Sequence, residues 1–293
     1  MPLSLLYCTV MPKSLRFLIL FVSLSACSGW CQHPERASAS PTYLSSAFDI
    51  EQKQLPKGFK GHSAERIYEA LSHRKATAQK SEFESQAEYQ QRMAHISEQA
   101  FMPSLHPADI FAFLSSHLIV SYDAEKQQLE MQNPFTRDPN NEAQFDGLEA
   151  PWSESIAQKG SYLAQNRFGA VWRIRREVIT QYDLFTTDPA WNTNTMFVDP
   201  PLTLPMSPLK AKAIKGSLRA LVVCSLAPPF VGRSSRSFDE ATLHEPLDRT
   251  FVIHNLYVDV REIWIVNPSS GEILGRFDKG NHEIKLRSGG IDE

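Results

Sequence analysis

The spacing of apolar side chains predicts two helices in the first half of the chain. Ser63 is a good N-cap residue, and the apolar residues that follow it share one helical face: Ala64, Ile67, Tyr68 and Leu71. Ser85 and Glu88 have the spacing of a capping box, and apolar residues recur at helical intervals until Pro103 ends the run. The apolar faces of both helices are predicted to be core.

Alternation of apolar and polar residues predicts strands in the rest of the chain. Residues 118–131 have the pattern of a hairpin around a turn at 123–126. Residues 171–185 carry apolar side chains at most even positions and mainly polar ones at odd positions, which favours a strand, although a helix also fits. Two further strands are predicted at 218–226 and 252–266. Together these elements predict an α+β fold, with N-terminal helices followed by a mainly antiparallel sheet.

The N-terminus has the layout of a signal peptide. Two basic residues precede an apolar run at 17–22, which is far shorter than the roughly 20 residues needed to cross a bilayer. The sequence Leu-Ser-Ala-Cys at 24–27 resembles the lipobox of bacterial lipoproteins, in which the cysteine receives the lipid. We therefore predict that residues 1–26 are a lipoprotein signal peptide and that Cys27 is lipidated. An ordinary secreted protein, cut at another position, is the alternative.

The resemblance to lipoproteins also implies a location. Ser28 follows the cysteine that is predicted to be lipidated. Bacterial lipoproteins with a residue other than aspartate at this position resemble those that are sorted to the outer membrane. The protein is therefore predicted to face the periplasm, held at the outer membrane by acyl chains such as palmitate. More than one acyl chain anchors a protein stably in the membrane, because each buried methylene group contributes about 0.8 kcal/mol.

Composition shifts divide the rest of the chain. Residues 27–60 are polar and irregular and are predicted to be a flexible tether. Residues 61–293 are predicted to form an α+β globular domain. The stretch 199–208 contains four prolines, which do not fit inside a helix or a central strand. It is predicted to be a connector, with two subdomains on either side of it as an option.

Composition and charge exclude several classes of protein. Hydrophobic residues make up 42% of the chain and charged residues 22%, which is typical of a soluble globular protein and excludes disorder throughout. The 30 basic and 33 acidic residues give a net charge of -3, so no bulk field attracts nucleic acid, and no nucleic-acid partner is predicted. The four cysteines have no spacing of a structural zinc site.

No catalytic motif in the sequence indicates a particular reaction. The chain has no G-x-S-x-G or H-E-x-x-H motif, and His244 and His282 are each followed by a glutamate without a second histidine at metal-binding spacing. His254 lies on an apolar strand face and is predicted to be a buried histidine with one hydrogen-bond partner. Cys224 is predicted to be a buried free thiol, with a disulfide to Cys31 as the alternative. No catalytic residue, metal ligand or cofactor is assigned.

One stretch offers a speculative binding surface. Gln165 and Asn166 carry paired donors and acceptors close to a glycine, and Arg173 belongs to a small basic cluster with aromatic neighbours. Together with Tyr162 they are predicted to contact a phosphate, a glycan or another partner. The ordinary explanation stays open, since amides beside a turn commonly bond the backbone and charged strand faces are commonly solvated.

Three segments carry a resemblance to a protein family. They are FESQAEYQQR at 83–92, the residues Y-x-x-Q-N-x-F-G at 162–169, and EIW at 262–264 continuing to GEIL at 271–274. They resemble segments of an uncharacterised family of secreted or lipid-anchored envelope proteins of Gram-negative bacteria, over most of residues 58–277. That family has no assigned reaction, so the resemblance implies a location in the cell envelope but no catalytic residue.

These observations favour a lipid-anchored bacterial envelope protein with an interaction or binding role. The predicted partners are the membrane, through the N-terminal lipid, and an envelope protein or glycan. A periplasmic hydrolase acting on envelope polymers is the alternative, and a cleft that binds a small ligand is a third hypothesis.

Overall fold

Strands dominate the computed structural model, which describes residues 42–73, 80–135, 148–191, 202–239, 241–242 and 244–279. The helices are α1 (Ala64–Ser72), α2 (Gln86–Ser97) and α3 (Pro208–Ile214), with short 3-10 turns at Pro189–Trp191 and Lys215–Ser217. The strands are β1 (Phe111–Leu114), β2 (Val120–Asp123), β3 (Gln128–Met131), β4 (Leu148–Gln165), β5 (Val171–Thr186), β6 (Leu202–Pro205), β7 (Arg219–Asp239), β8 (Leu247–Asn267) and β9 (Glu272–Asp278). No helix within the described ranges is long and apolar enough to span a bilayer.

A six-stranded mixed sheet forms the centre of the fold. Its strand order is β1-β7-β8-β5-β4, and β9 adds to the far part of β8. All neighbours in this sheet are antiparallel except β5 and β8, which run parallel from the Arg175–Leu247 pair to the Phe185–Tyr257 pair. Register shifts interrupt β4, β7 and β8, and such bulges increase the local twist of long strands. A separate antiparallel sheet has the order β2-β3-β6.

The predicted α+β class, with N-terminal helices followed by a mainly antiparallel sheet, is wrong. The described chain is mainly β, because β7 and β8 have 21 residues each while the three helices have 9, 12 and 7. The local helix signals themselves are present: Ser63 and Ser85 cap α1 and α2, and Ser85 forms a complete capping box with Glu88. These helices do not build a layer of their own, and α2 buries only Met93.

The central part of β7 is buried on both faces of the sheet. Ala220, Val222 and Cys224 of β7 belong to the larger apolar cluster, which includes the buried face of α1. Leu221 and Val223, which alternate with them, belong to a second cluster on the opposite face. A strand that is covered on both sides is therefore the centre of the core.

The second cluster corrects the tether prediction. Phe48, Leu55 and Phe59 lie within the predicted tether, yet all three are buried against the sheet. The backbone of this segment is also bonded, since Phe48 N–H donates to the Ile110 carbonyl at 2.8 Å and Leu55 N–H to the Gly271 carbonyl at 2.9 Å. The tether prediction is wrong for residues 42–60, and residues 27–41 lie outside the described residues.

The Pro-rich connector also contains regular structure. Residues 202–205 form β6, which pairs with β3 and buries Leu202 and Leu204. Residues 199–201 lie outside the described part of the chain. The chain from Ser40 onward clusters as one compact unit, so the option of two subdomains has no support.

Candidate functional site

The hairpin of β4 and β5 extends beyond the point where β8 begins. Pairing between β4 and β5 continues to Gln165 and Val171, whereas β8 pairs with β5 only from Arg175 inward. Residues 161–175 therefore form a two-stranded projection, here named the arm, and among the described residues a third strand reaches it only at its base, through the Arg175–Leu247 pair. All four residues of the predicted binding surface lie on this arm.

Two of those four residues hold the turn at the tip of the arm. Asn166 Oδ1 accepts hydrogen bonds from the N–H groups of Phe168 and Ala170, both at 3.0 Å. Gln165 Nε2 donates to the Gly169 carbonyl at 3.2 Å, and Gly169 has a positive φ of 84°, which favours glycine. The amides of Gln165 and Asn166 thus shape the turn, and the surface that a partner can meet is made by their neighbours.

Apolar side chains are exposed around the tip. Phe168 is 83% exposed, Leu163 63% and Val171 56%. Because strand side chains alternate between faces, Leu163 and Val171 point to one side of the arm, and Tyr162 and Trp172 to the other. Four of the nine exposed large apolar side chains among the described residues lie on this one projection: Tyr162, Leu163, Phe168 and Val171.

The charge of this region is of one sign. The sequence from 159 to 176 contains no acidic residue and five basic ones: Lys159, Arg167, Arg173, Arg175 and Arg176. Arg173 donates to Ser161 Oγ at 3.3 Å across the hairpin, and the Arg167 guanidinium lies 5.3 Å from the centre of the Phe168 ring. A chain with a net charge of -3 therefore presents a local cationic surface with exposed apolar groups between its charges.

A shallow depression lies at the base of the arm. It has a volume of about 140 Å³ and is lined by Lys159, Arg176, Glu177, Val178, Asp248 and Thr250. Arg176 pairs with Asp248 at 3.7 Å and also lies over the Tyr162 ring at 5.0 Å. Sites for drug-sized ligands usually have about 300–1,000 Å³, so this depression is too small for a segment of a polymer.

His254 lies away from the arm, in an aromatic cluster under α1. Its ring stacks on Tyr182 with 4.9 Å between centroids and lies 4.4 Å from Tyr68. The histidine is half-buried, and its Nδ1 is buried with no hydrogen-bond partner among the described residues, so the predicted partner is not found there. Burial lowers the pKa of His254, the Arg233 guanidinium lowers it further, and Glu69 acts in the opposite direction.

Cys224 is a fully buried free thiol, as predicted, and Cys31 lies outside the described residues. Burial raises the pKa of the Cys224 thiol, which suppresses the reactive thiolate. No group of three or more His, Cys, Asp or Glu side chains within the described ranges is placed to hold a metal ion. The predicted lipidation site, Cys27, also lies outside the described residues.

Side chains within the segment at 83–92 contact one another. Arg92 bonds both carboxylate oxygens of Glu84 at 2.7 Å, and its guanidinium lies 5.4 Å from the centre of the Tyr89 ring. Hydrogen bonding from Arg92 lowers the pKa of Glu84. This segment therefore has a structural explanation that needs no ligand.

No family model, no curated protein and no solved structure matches this chain. The resemblance to an uncharacterised family of secreted or lipid-anchored envelope proteins thus stays a prediction.

Sequence reasoning missed the most exposed residues of the arm, namely Leu163, Arg167, Phe168 and Val171. A signal for them was present, because the stretch 159–176 combines five basic residues with aromatic and aliphatic ones and contains no acid.

Proposed function

We propose that this chain is a lipid-anchored bacterial envelope protein, held at the periplasmic face of the outer membrane through Cys27, and that its arm binds an anionic component of the envelope. The observation that carries the binding role is the exposed tip of the arm, where Phe168 and Val171 lie among arginines. The envelope location rests on the lipobox resemblance.

The apolar residues of the tip have no role in holding the fold. Phe168, Leu163 and Val171 belong to neither apolar cluster and are not packed against either one. The turn needs the Asn166 side chain and a glycine at position 169, but any side chain fits at position 168. Contiguous exposed apolar groups of this kind mark interaction sites in soluble proteins.

The arginines determine what kind of partner fits. Arg167, Arg173 and Arg175 have no carboxylate partner in the described ion pairs, so their charges are available to an anionic partner. Arginine suits phosphate and carboxylate groups because its planar guanidinium presents several donors at once. No contact in the described residues favours the alternative of a periplasmic hydrolase.

Photo-crosslinking in living cells tests the binding role. A photo-crosslinking phenylalanine analogue at position 168 is expected to form adducts with envelope components in the bacterium that produces the protein. The same analogue at position 83 is the matched control, because Phe83 is similarly exposed but lies far from the arm in sequence, between Glu82 and Glu84. Adduct yields several times higher at position 168 support the proposal, and equal yields at the two positions contradict it.

A further inference from the structure

We propose that the anionic partner of the arm is the surface of a phospholipid bilayer, into which the tip of the arm inserts as a second membrane contact beside the N-terminal lipid. This inference rests on the proposed binding role of the arm and names its partner. It follows from three features of the arm: the direction of its apolar side chains, the depth at which its arginines lie, and the absence of acidic residues.

The apolar side chains point to all sides of the tip. The exposed side chains of Leu163 and Val171 lie on one face of the hairpin, the exposed Tyr162 lies on the other face together with the half-buried Trp172, and Phe168 is at the turn itself. A protein surface that docks on a two-stranded hairpin covers one face and leaves the other in water. A lipid surface surrounds an inserted tip, so it is the partner that removes both apolar faces from water at once.

The arginines lie at the depth of lipid phosphates when the tip is inserted. Gln165 and Val171 form the pair next to the turn, and at about 3.3 Å per residue Arg173 lies about 7 Å and Arg175 about 13 Å behind that pair. Interfacial segments bury their apolar groups about 5–10 Å into the boundary between headgroups and acyl chains. Phe168 and Val171 then reach the acyl boundary, while Arg173 and Arg175 meet the phosphates.

Arg167 is compatible with this depth although it lies at the turn. Its guanidinium lies over the Phe168 ring, so a cation–π contact already holds this charge beside the apolar tip. Long basic side chains also extend back from an inserted segment to the headgroups. The lack of any acidic residue from 159 to 176 means that no charge of the arm is repelled by an anionic surface.

Vesicle binding tests the inference with residues 27–293 carrying Cys27→Ala, so that neither the predicted signal peptide nor an acyl chain contributes. We expect co-sedimentation with vesicles of phosphatidylglycerol and phosphatidylcholine in equal parts, and much weaker binding to phosphatidylcholine alone. Each arginine contributes about fivefold, so Arg167→Gln, Arg173→Gln and Arg175→Gln together are expected to weaken binding on the order of 100-fold. Phe168→Ser is expected to weaken it at least about tenfold.

Matched controls separate the arm from the rest of the chain. Replacing three exposed lysines outside the arm, Lys53, Lys57 and Lys212, by glutamine removes the same charge, and Phe83→Ser removes an equally exposed ring. All variants share the same N-terminal segment, so its contribution is constant. An environment-sensitive fluorescent amino acid at position 168, but not at position 83, is expected to shift its emission to the blue on anionic vesicles.

The outcomes distinguish this inference from the proposed function. Selective losses in the arm variants, with the blue shift at position 168, support lipid as the partner. If the arm variants bind vesicles as well as the controls do, the inference is wrong. In that case adducts to a protein or a glycan at position 168 in cells would leave the binding role intact, and the absence of adducts at this position would overturn both.

Discussion

Replacing Phe48 by alanine is expected to lower the free energy of unfolding by about 3–5 kcal/mol. Phe48 is 4% exposed, and its ring packs edge-on against Trp264, with 5.3 Å between centroids, and lies 6.0 Å from the Phe59 ring. Truncation to alanine removes these contacts and leaves a cavity between the segment at 42–60 and the central sheet. The shift of the denaturant midpoint, at an unchanged slope, measures the loss.

Phe83→Ala is the matched control for this result. The substitution is chemically identical, but Phe83 is 89% exposed, so the change in stability is expected to stay within about 0.5 kcal/mol. Equal and small effects of the two substitutions would show that the segment at 42–60 does not belong to the core.

Cys27→Ala is expected to abolish lipid attachment completely. The lipid is proposed to be bonded to the sulfur of Cys27, and alanine offers no atom to which it can be attached. Metabolic labelling with palmitate followed by fractionation measures both the label and the location.

Cys31→Ala is the matched control, since it removes a thiol four residues further on. This variant is expected to keep both the label and the membrane location. Labelling that survives Cys27→Ala, or that disappears with Cys31→Ala, would contradict the proposed anchor.

Local signals in the sequence correctly predicted local structure. Ser63 and Ser85 bond to backbone N–H groups only three residues away, so their capping role can be recognised from spacing alone. The alternation at 171–185 likewise predicted β5. The prediction of the fold class was wrong because the fold class depends on pairing between distant segments, such as the parallel pairing of Arg175 with Leu247. Nothing in the alternation of either strand specifies its neighbour.

The segment at 42–60 shows a second limit. Phe48, Leu55 and Phe59 are single apolar residues among polar ones, without the period of a helix or a strand. Each fills a place on a surface that the sheet provides, and the backbone bonds to Ile110 and Gly271 exist only after the sheet has formed. Such a segment has the polar composition of a flexible tether, but its apolar side chains are buried like those of a core.

The four residues of the predicted binding surface lie together on the arm, but the sequence did not reveal their structural roles. Tyr162, Gln165, Asn166 and Arg173 all lie on the arm, yet the two amides mainly hold the turn. The exposure of Phe168 and Leu163 depends on where β8 begins, because the same alternating pattern is buried where a third strand and a helix cover it. A long-range feature therefore decides whether an apolar residue of this hairpin is core or binding surface.

Hydrogen–deuterium exchange tests most directly whether the arm is the binding surface. The acylated protein in envelope membranes is compared with the unacylated Cys27→Ala protein in solution, and exchange is followed by peptide. The account predicts slower exchange across residues 161–175 in membranes, with unchanged exchange in α2, whose surface is largely exposed. Equal exchange of the arm in both preparations, or protection confined to another part of the chain, would contradict it.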